Sequence, residues 1–460
     1  MTARTAGAAL SGGWRRGAVA GAAVLTLLTV SAATPAKGRA PATAPDAGAP
    51  VRDVILLVGD GMGDSEITAA RNYGPGAGGR LAMDTLAVTG SSLTYAVDGR
   101  GRPDYVTDSA AGATAWATGH KTLNGRVSKS ADTNRPLPTL LELARKHGYA
   151  TGSVTTASVA DATPAALTAH VTDRSCKGPA DMEACPADTR AAGGAGSIAE
   201  QTLAARPDVL LGGGADLFAQ TVTDGPYRGR SLLEQARASG YRVVRDRAEL
   251  RSARPGEPVL GLFAPDYVPV ERVGPRAAAG GTPPQRCATA NPARPPGTPT
   301  LEESTRAALE LLSAGRGRHG AGGGKGFLLQ VEGASIDDRA HDADPCGQIG
   351  ETLAFDRAVR AALDHAARNP RTLVIVTADH GHGGQILPAD ARSAGLSATL
   401  VTDEGGLMRL GYASGPADDV QEHTGVSVRV AAQGPLAHQV SGLNENTALF
   451  DTVRNALRLR

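Results

Sequence analysis

Four apolar runs in this chain stop on side chains that can hold a cation or move a proton. Residues 54–58 lead into Asp60, with Gly59 and Gly61 on either side. Residues 150–154 are followed by Asp161 and Thr163. Residues 327–331 lead into Glu332, Asp337 and His341, and residues 373–376 into Asp379, His380 and His382. One acid after a strand is commonly a turn residue or a helix cap, and so is one Asp-His pair. Four such ends in a single chain point to a shared site. Carboxylates crowded within about 4–6 Å raise one another's pKa and cannot all ionise without cations. Imidazole and carboxylate donors together suit zinc, at bond lengths of about 2.0–2.2 Å. Asp337 and His341, four apart, can lie on one helix face. Carboxylates joined by the Thr163 hydroxyl suit a harder ion, magnesium with retained water.

A nucleophile stands in TDSAAGATAWATG, residues 107–119, where Ser109 opens an Ala-rich helical segment. Serine is a favoured N-cap, which is the plain reading. The functional reading is that the free N–H groups and dipole of a helix N-terminus attract phosphate. A neighbouring zinc would hold the hydroxyl as an alkoxide near neutral pH. No GxSxG elbow accompanies the serine, so metal activation is the better reading. Two zinc ions about 3.5–4 Å apart would clamp the entering and leaving oxygens of an in-line displacement.

The elements must bring these ends together. The apolar runs lack polar alternation, as expected of parallel strands buried on both faces; residues 209–211 read the same way. Helical patterns at 137–147 and 351–368 lie between runs, the second with Leu353, Val359 and Leu363 on one side. The fold expected is α/β: a doubly wound, mostly parallel central sheet with helices on both faces and ligands outside the carboxyl ends of the strands. Residues 251–300 hold eleven of the 29 prolines and read as a long surface excursion pinned by Cys287. Residues 315–326 read as a flexible loop. Their GGGKG has the wrong spacing for a P-loop, and no Ser or Thr follows Lys325. The LLGGGAD at 210–216 reads as a strand-to-loop turn.

A net charge of +1 in 460 residues, with 20% charged, gives no global field for nucleic acid or an anionic membrane. Arg4, Arg15 and Arg16 precede an apolar run at 18–33 that is short of the roughly 20 residues a membrane span needs. We expect residues 1–33 to be a signal peptide cleaved near 33–36, residues 34–50 a disordered tail, and residues 51–460 a single catalytic domain. The Arg15-Arg16 pair leaves the twin-arginine and general secretory routes both open, and the destination is extracellular or periplasmic. Four cysteines without CxxC spacing fit an oxidising compartment. Of three connectivities we expect Cys176–Cys185 with Cys287–Cys346.

The stretches VGDGMGDSEITAARNYG, PDYVTDSAAGATAW, DATPAALTAHVTDR, QVEGASID, TLVIVTADH and QEHTG resemble bacterial alkaline phosphatases. The similarity runs from about residue 51 to the C-terminus. It implies a secreted phosphomonoesterase with two zinc ions and one magnesium, acting through a phosphoserine on Ser109, and a homodimer. Asp337, His341 and His423 would hold the first zinc, and Asp60, Asp379, His380 and Ser109 would surround the second. Asp60 would bridge to a magnesium shared with Asp161, Thr163 and Glu332. Arg174 would clamp two oxygens of substrate or of inorganic phosphate, steadied by Asp108, and His382 would support a ligand. The chain departs from the pattern at Asp338, where the best-known bacterial members carry a lysine, and at Ala340, where they carry an acid. Looser phosphate retention is the expected result. A phosphodiesterase on the same metal scaffold and a non-catalytic phosphate or metal binder are the rival readings. A sulfatase would need a CxPxR-like stretch, which is absent.

Overall fold

The computed structural model describes residues 50–314, 325–418 and 420–460. The expected signal peptide, nearly all of the expected tail and most of the expected loop at 315–326 lie outside them. Ten strands, numbered along the chain, form the large sheet: β1 (Asp53–Gly59), β2 (Val88–Ser92), β3 (Ala150–Ser158), β4 (Val209–Gly213), β5 (Arg242–Val244), β6 (Val259–Leu262), β7 (Phe327–Gly333), β8 (Thr372–Ala378), β9 (Val428–Gln433) and β10 (Gly442–Asn444). Their order is β10-β2-β9-β8-β1-β7-β3-β4-β6-β5. Only β9 runs against the rest. The sheet is thus the mostly parallel one the apolar runs imply.

Its two faces are covered differently, and β1 shows why its sequence is apolar throughout. Val54, Leu56 and Val58 enter one core with Ala110, Ala113, Trp116 and Ala117 of the helix Ser109–Thr118. Ile55 and Leu57 point the other way, against Phe355, Ala358, Val359 and Ala362 of the helix Pro345–Arg368. Each such fully buried aliphatic side chain contributes about 1.5–3 kcal/mol. The helices that matter for the site are α1 (Asp64–Tyr73), α2 (Ser109–Thr118), the single turn α3 (Ala162–Ala165), α4 (Ser335–His341) and α5 (Pro345–Arg368). Helix α5 begins six residues before the amphipathic pattern at 351–368. Asp344 caps it by accepting from Gly347 N, and Pro345 occupies its first turn, where a missing N–H costs nothing. Gly347 and Gly350 in the following turn had hidden that start.

The proline-rich segment is not wholly a surface excursion. Its residues Val259–Leu262 are buried and pair with both β4 and β5. Farther on, Ala278–Ala279 pairs with Leu396–Val401 in a four-stranded antiparallel sheet completed by Leu407–Tyr412 and Gln385–Leu387. Tyr73, Leu400, Leu410, Tyr412, Cys287 and Cys346 form a third core there. Both expected disulfides, Cys176–Cys185 and Cys287–Cys346, are present. Among the described residues no helix is long and apolar enough to cross a membrane.

Candidate active site

Strand register sets the site. Gly59, the last residue of β1, pairs with Gly333 of β7 on one side and with Ala378 of β8 on the other. Asp60 and Asp379 therefore leave the sheet at one level, with Glu332 a residue behind, opposite Val58. On the far side of β7, Thr155 of β3 lies opposite Glu332 and donates its hydroxyl to that carboxylate. The chain then turns through Asp161, whose side chain accepts from Ala162 N at 2.8 Å and caps α3, the turn that carries Thr163.

The glycines beside Asp60 have separate reasons. A Cβ on Gly59 would stand 2.7 Å from the Met62 sulfur. Gly61 has φ +63°, and a Cβ there would stand 2.9 Å from Asp337 Oδ1. The Gly61 N–H donates to Asp379 Oδ1 at 3.0 Å, joining two strand ends.

Donor atoms converge on two points that share Asp337. Around the first, Asp337 Oδ2 lies 3.3 Å from His341 Nε2 and Oδ1 lies 3.3 Å from His423 Nε2. The two Nε2 atoms are 3.0 Å apart. Each ring presents Nδ1 to a main-chain carbonyl, His341 to Gln421 and His423 to Thr107 at 2.9 Å. That fixes the Nδ1–H tautomer in the neutral rings and turns both Nε2 lone pairs inward, as a metal requires. His382 is different. Its Nδ1 accepts from Gly383 N at 2.7 Å, so in the neutral ring Nε2 carries the proton and faces Asp337 Oδ1 at 3.4 Å. In the neutral rings His382 thus faces Asp337 with a proton where His341 and His423 face it with lone pairs. Its Nε2 is nonetheless buried without a hydrogen bond of good geometry, and the four side chains lie close enough to share one ion.

Around the second point, His380 Nε2 lies 3.4 Å from both Asp60 Oδ1 and Asp379 Oδ2, and 4.0 Å from Asp337 Oδ1. Ser109 Oγ donates to Asp60 Oδ1 at 3.3 Å. Asp337 Oδ1, Asp379 Oδ2, His380 Nε2 and Thr163 Oγ1 are buried without a hydrogen bond of good geometry. Buried polar atoms are rarely left so. Burial and then the neighbouring Asp379, Asp337 and Glu332 push the Asp60 carboxyl well above the usual range. Burial, with Asp161 and Asp379 adding to it, lifts Glu332 to about 8. Burial alone would raise Asp337 too, but the imidazoles of His341 and His423 hold it well below. Inward lone pairs, orphaned donors and strained acids fit divalent cations at these positions.

Beside the carboxylates lie the N-terminus of α2 and the Arg174 guanidinium. Asp108 is the N-cap of α2, accepting from Ala111 N at 2.9 Å, and Ser109 is the first helical residue, 2% exposed. Gly112, one turn on, lets the helix pass close to the Asp379 side chain, since a Cβ there would come within 3.1 Å of it. Arg174 donates to Asp108 Oδ2 at 3.2 Å and to Asp161 Oδ1 at 3.4 Å, its guanidinium held between two acids near the serine.

The alkaline phosphatase family model matches residues 51–422. The chain belongs to the alkaline phosphatase family. It is 51% identical to the alkaline phosphatase of Escherichia coli over 419 residues, 89% of this chain and 87% of that protein. It is 74% identical to streptomycin-6-phosphate phosphatase of Streptomyces griseus over 447 residues, 97% of this chain and 98% of that one. The solved alkaline phosphatase of Thermus thermophilus superposes with a TM-score of 0.67 at 25% identity, covering 90% of this chain and 93% of that one. The chain is therefore a phosphomonoester hydrolase on a metal-dependent scaffold.

All the residues singled out from sequence for this alkaline phosphatase site come to one rim of the sheet. His423 reaches it from a loop that no strand-end argument covers. Two residues that sequence reading passed over join them: Tyr267, inside the proline-rich segment, and Lys177, three residues after Arg174. Both bond to Asp161. Asp338, expected to repel phosphate, is paired with Arg339, which takes up much of its charge.

Proposed function

We propose that this enzyme hydrolyses phosphate monoesters in two displacements through Ser109, with two zinc ions and one magnesium. Ser109 Oγ attacks phosphorus in line, its proton directed toward Asp60 Oδ1, and the alcohol leaves from the opposite side. Water then opens the phosphoserine and releases inorganic phosphate. Arg174 fits two phosphate oxygens with its planar fork, oriented by Asp108. The N–H groups at the start of α2 face the same anion. His341 and His423 with Asp337 would hold one zinc; His380 with Asp60 and Asp379 the other; Asp60, Asp161, Thr163 and Glu332 the magnesium. When bound, these cations supply Lewis-acid charge to the serine, leaving and phosphoryl oxygens.

The observation that carries this reading is Ser109 Oγ at a helix N-terminus, beside an orphaned acid–imidazole cluster and an arginine clamped by two carboxylates. Acid quench during turnover of a 32P-labelled monoester should trap a phosphoenzyme in the parent and none in Ser109→Ala. A label surviving that change would refute the role. Metal analysis should return zinc and magnesium near two to one. Turnover of a monoester against a diester separates this reading from a phosphodiesterase.

The relative that spans almost the whole chain supports a phosphorylated aminoglycoside as the natural substrate. The value of kcat/KM for streptomycin 6-phosphate should exceed that for p-nitrophenyl phosphate. Export of the chain, with cleavage near 33–36, and assembly as a homodimer complete the proposal. N-terminal sequencing of protein from the medium or periplasm and sedimentation test them.

A further inference from the structure

Asp161 carries more partners than a single carboxylate needs for capping a turn. Its Oδ1 faces Lys177 Nζ at 3.2 Å, Arg174 at 3.4 Å and Ala162 N at 2.8 Å, and its Oδ2 accepts from the Tyr267 hydroxyl. The carboxylate is 3% exposed, so these contacts fix it. Lys177 and Tyr267 come from unrelated segments, each mounted firmly. Lys177 follows Cys176 of the Cys176–Cys185 bridge, and its carbonyl accepts from Ala199 N at 2.9 Å while that of Cys176 accepts from Ile198 N at 3.0 Å. Tyr267 is bracketed by Val268 N donating to Thr156 O at 2.8 Å and Gly214 N donating to Asp266 O at 2.9 Å.

In the function proposed above two members of this cluster have a second duty, Asp161 at the magnesium and Arg174 on phosphate, and the inference rests on the Arg174 reading. A guanidinium shared between phosphate and a carboxylate binds phosphate only as well as the carboxylate lets it go. Lys177 and Arg174 share Asp161 Oδ1, at 3.2 and 3.4 Å, and Tyr267 takes Oδ2, so the acid's hold on the guanidinium is divided. Take the ammonium away, and the natural counter-ion for the buried acid is Arg174, three residues back on the same loop.

We propose that Lys177, assisted by Tyr267, is a positioning residue that shares Asp161 with Arg174, loosens the acid's hold on that guanidinium and thereby sets how tightly the site retains phosphate. The ammonium also adds a positive charge beside Arg174, through the carboxylate they share. Removing it withdraws both effects in the same direction. Phosphate is then bound less tightly as product, so turnover limited by its release does not slow.

The test uses the metal-loaded enzyme with inorganic phosphate as probe, titrated calorimetrically and as a competitive inhibitor. Lys177→Met should weaken phosphate by about fivefold, the scale of a partly exposed ion pair. KM should rise in parallel with kcat equal or higher, and Lys177→Arg should restore most of the affinity. Tyr267→Phe should shift phosphate affinity the same way by a smaller factor. Metal content after dialysis should match the parent in each. Unchanged phosphate affinity in Lys177→Met overturns the inference, and so does a loss that Lys177→Arg shares in full. Arg174→Ala is the control on the underlying reading: unchanged phosphate binding there removes the clamp itself, whereas weakened binding there with an unaffected Lys177→Met removes only the role of Lys177.

Discussion

At the scale of single residues the site is a set of tautomers and close approaches. Four imidazoles lie within reach of Asp337, yet their hydrogen bonds sort them: His341 and His423 turn lone pairs inward, and His382 turns a proton. Replacing His382 by Ala should therefore leave the zinc stoichiometry intact while lowering zinc affinity by about 10-fold or more, as loss of a ligand's supporting partner does. His341→Ala should remove the ion. Competition with a fluorescent chelator measures both, and equal losses would show that His382 is a ligand. Gly61 makes a second prediction. A side chain there needs a left-handed conformation costing about 1–2 kcal/mol and drives into Asp337 Oδ1 at 2.9 Å. Gly61→Ala should keep the fold and lose most activity together with metal at the His341–His423 point, read by metal analysis alongside circular dichroism. The GDG at a buried strand end was ambiguous by itself, a turn or cap as readily as a close approach, and became readable only beside the three other strand ends. His423 was not, since QEHTG sits in a loop with no periodic pattern to place it.

At the scale of elements, the strands were legible wherever an apolar run was buried on both faces, because short β-branched runs such as VILLV and LVIV, ended by glycine or polar residues, suit a covered parallel sheet better than a helix. Strand Val259–Leu262 escaped notice for the opposite reason: four residues between Pro258 and Pro265 carry too little pattern to outweigh their neighbours. The same masking hid Tyr267, whose role depends on where that segment crosses the carboxyl ends of the sheet. The Cys287–Cys346 bridge ties this segment to the first turn of α5, directly after the α4 helix that carries Asp337 and His341. It closes a separation of 59 residues. In the chain-entropy account its removal costs about 4 kcal/mol. The double variant Cys287→Ser/Cys346→Ser should unfold several degrees lower in calorimetry and lose zinc faster to a chelator. An unchanged zinc off-rate would mean that α4 is held by its own packing alone.

At the scale of the whole molecule, the proposed cations would act as folding partners as well as reagents, and pH should expose it. In the protein stripped of metal, Glu332 has its carboxyl raised from 4.5 to about 8 by burial and by Asp161 and Asp379, and Asp60 is raised as well. A carboxyl with a raised folded pKa binds a proton in the native state that the unfolded chain has released, so stability falls as pH climbs from about 4.5 to about 8. His423, lifted from 6.5 to about 9 against its burial by Asp337, acts with the same sign: its contribution is whole below 6.5 and gone above about 9. His382, depressed by burial from 6.5 to about 3, works the other way, but only below 6.5. Above that pH the falling contributions stand alone. Divalent ions compete with exactly those protons, so binding releases them and strengthens as pH rises. Buried acids outside the site, such as Glu66 at about 8, titrate alike in both forms and cancel in the comparison. The gap in melting temperature between loaded and chelated enzyme should therefore widen steadily from about pH 6 to about pH 9. A gap that stays constant or narrows over that range would mean that the convergent acids and imidazoles are not where the ions bind.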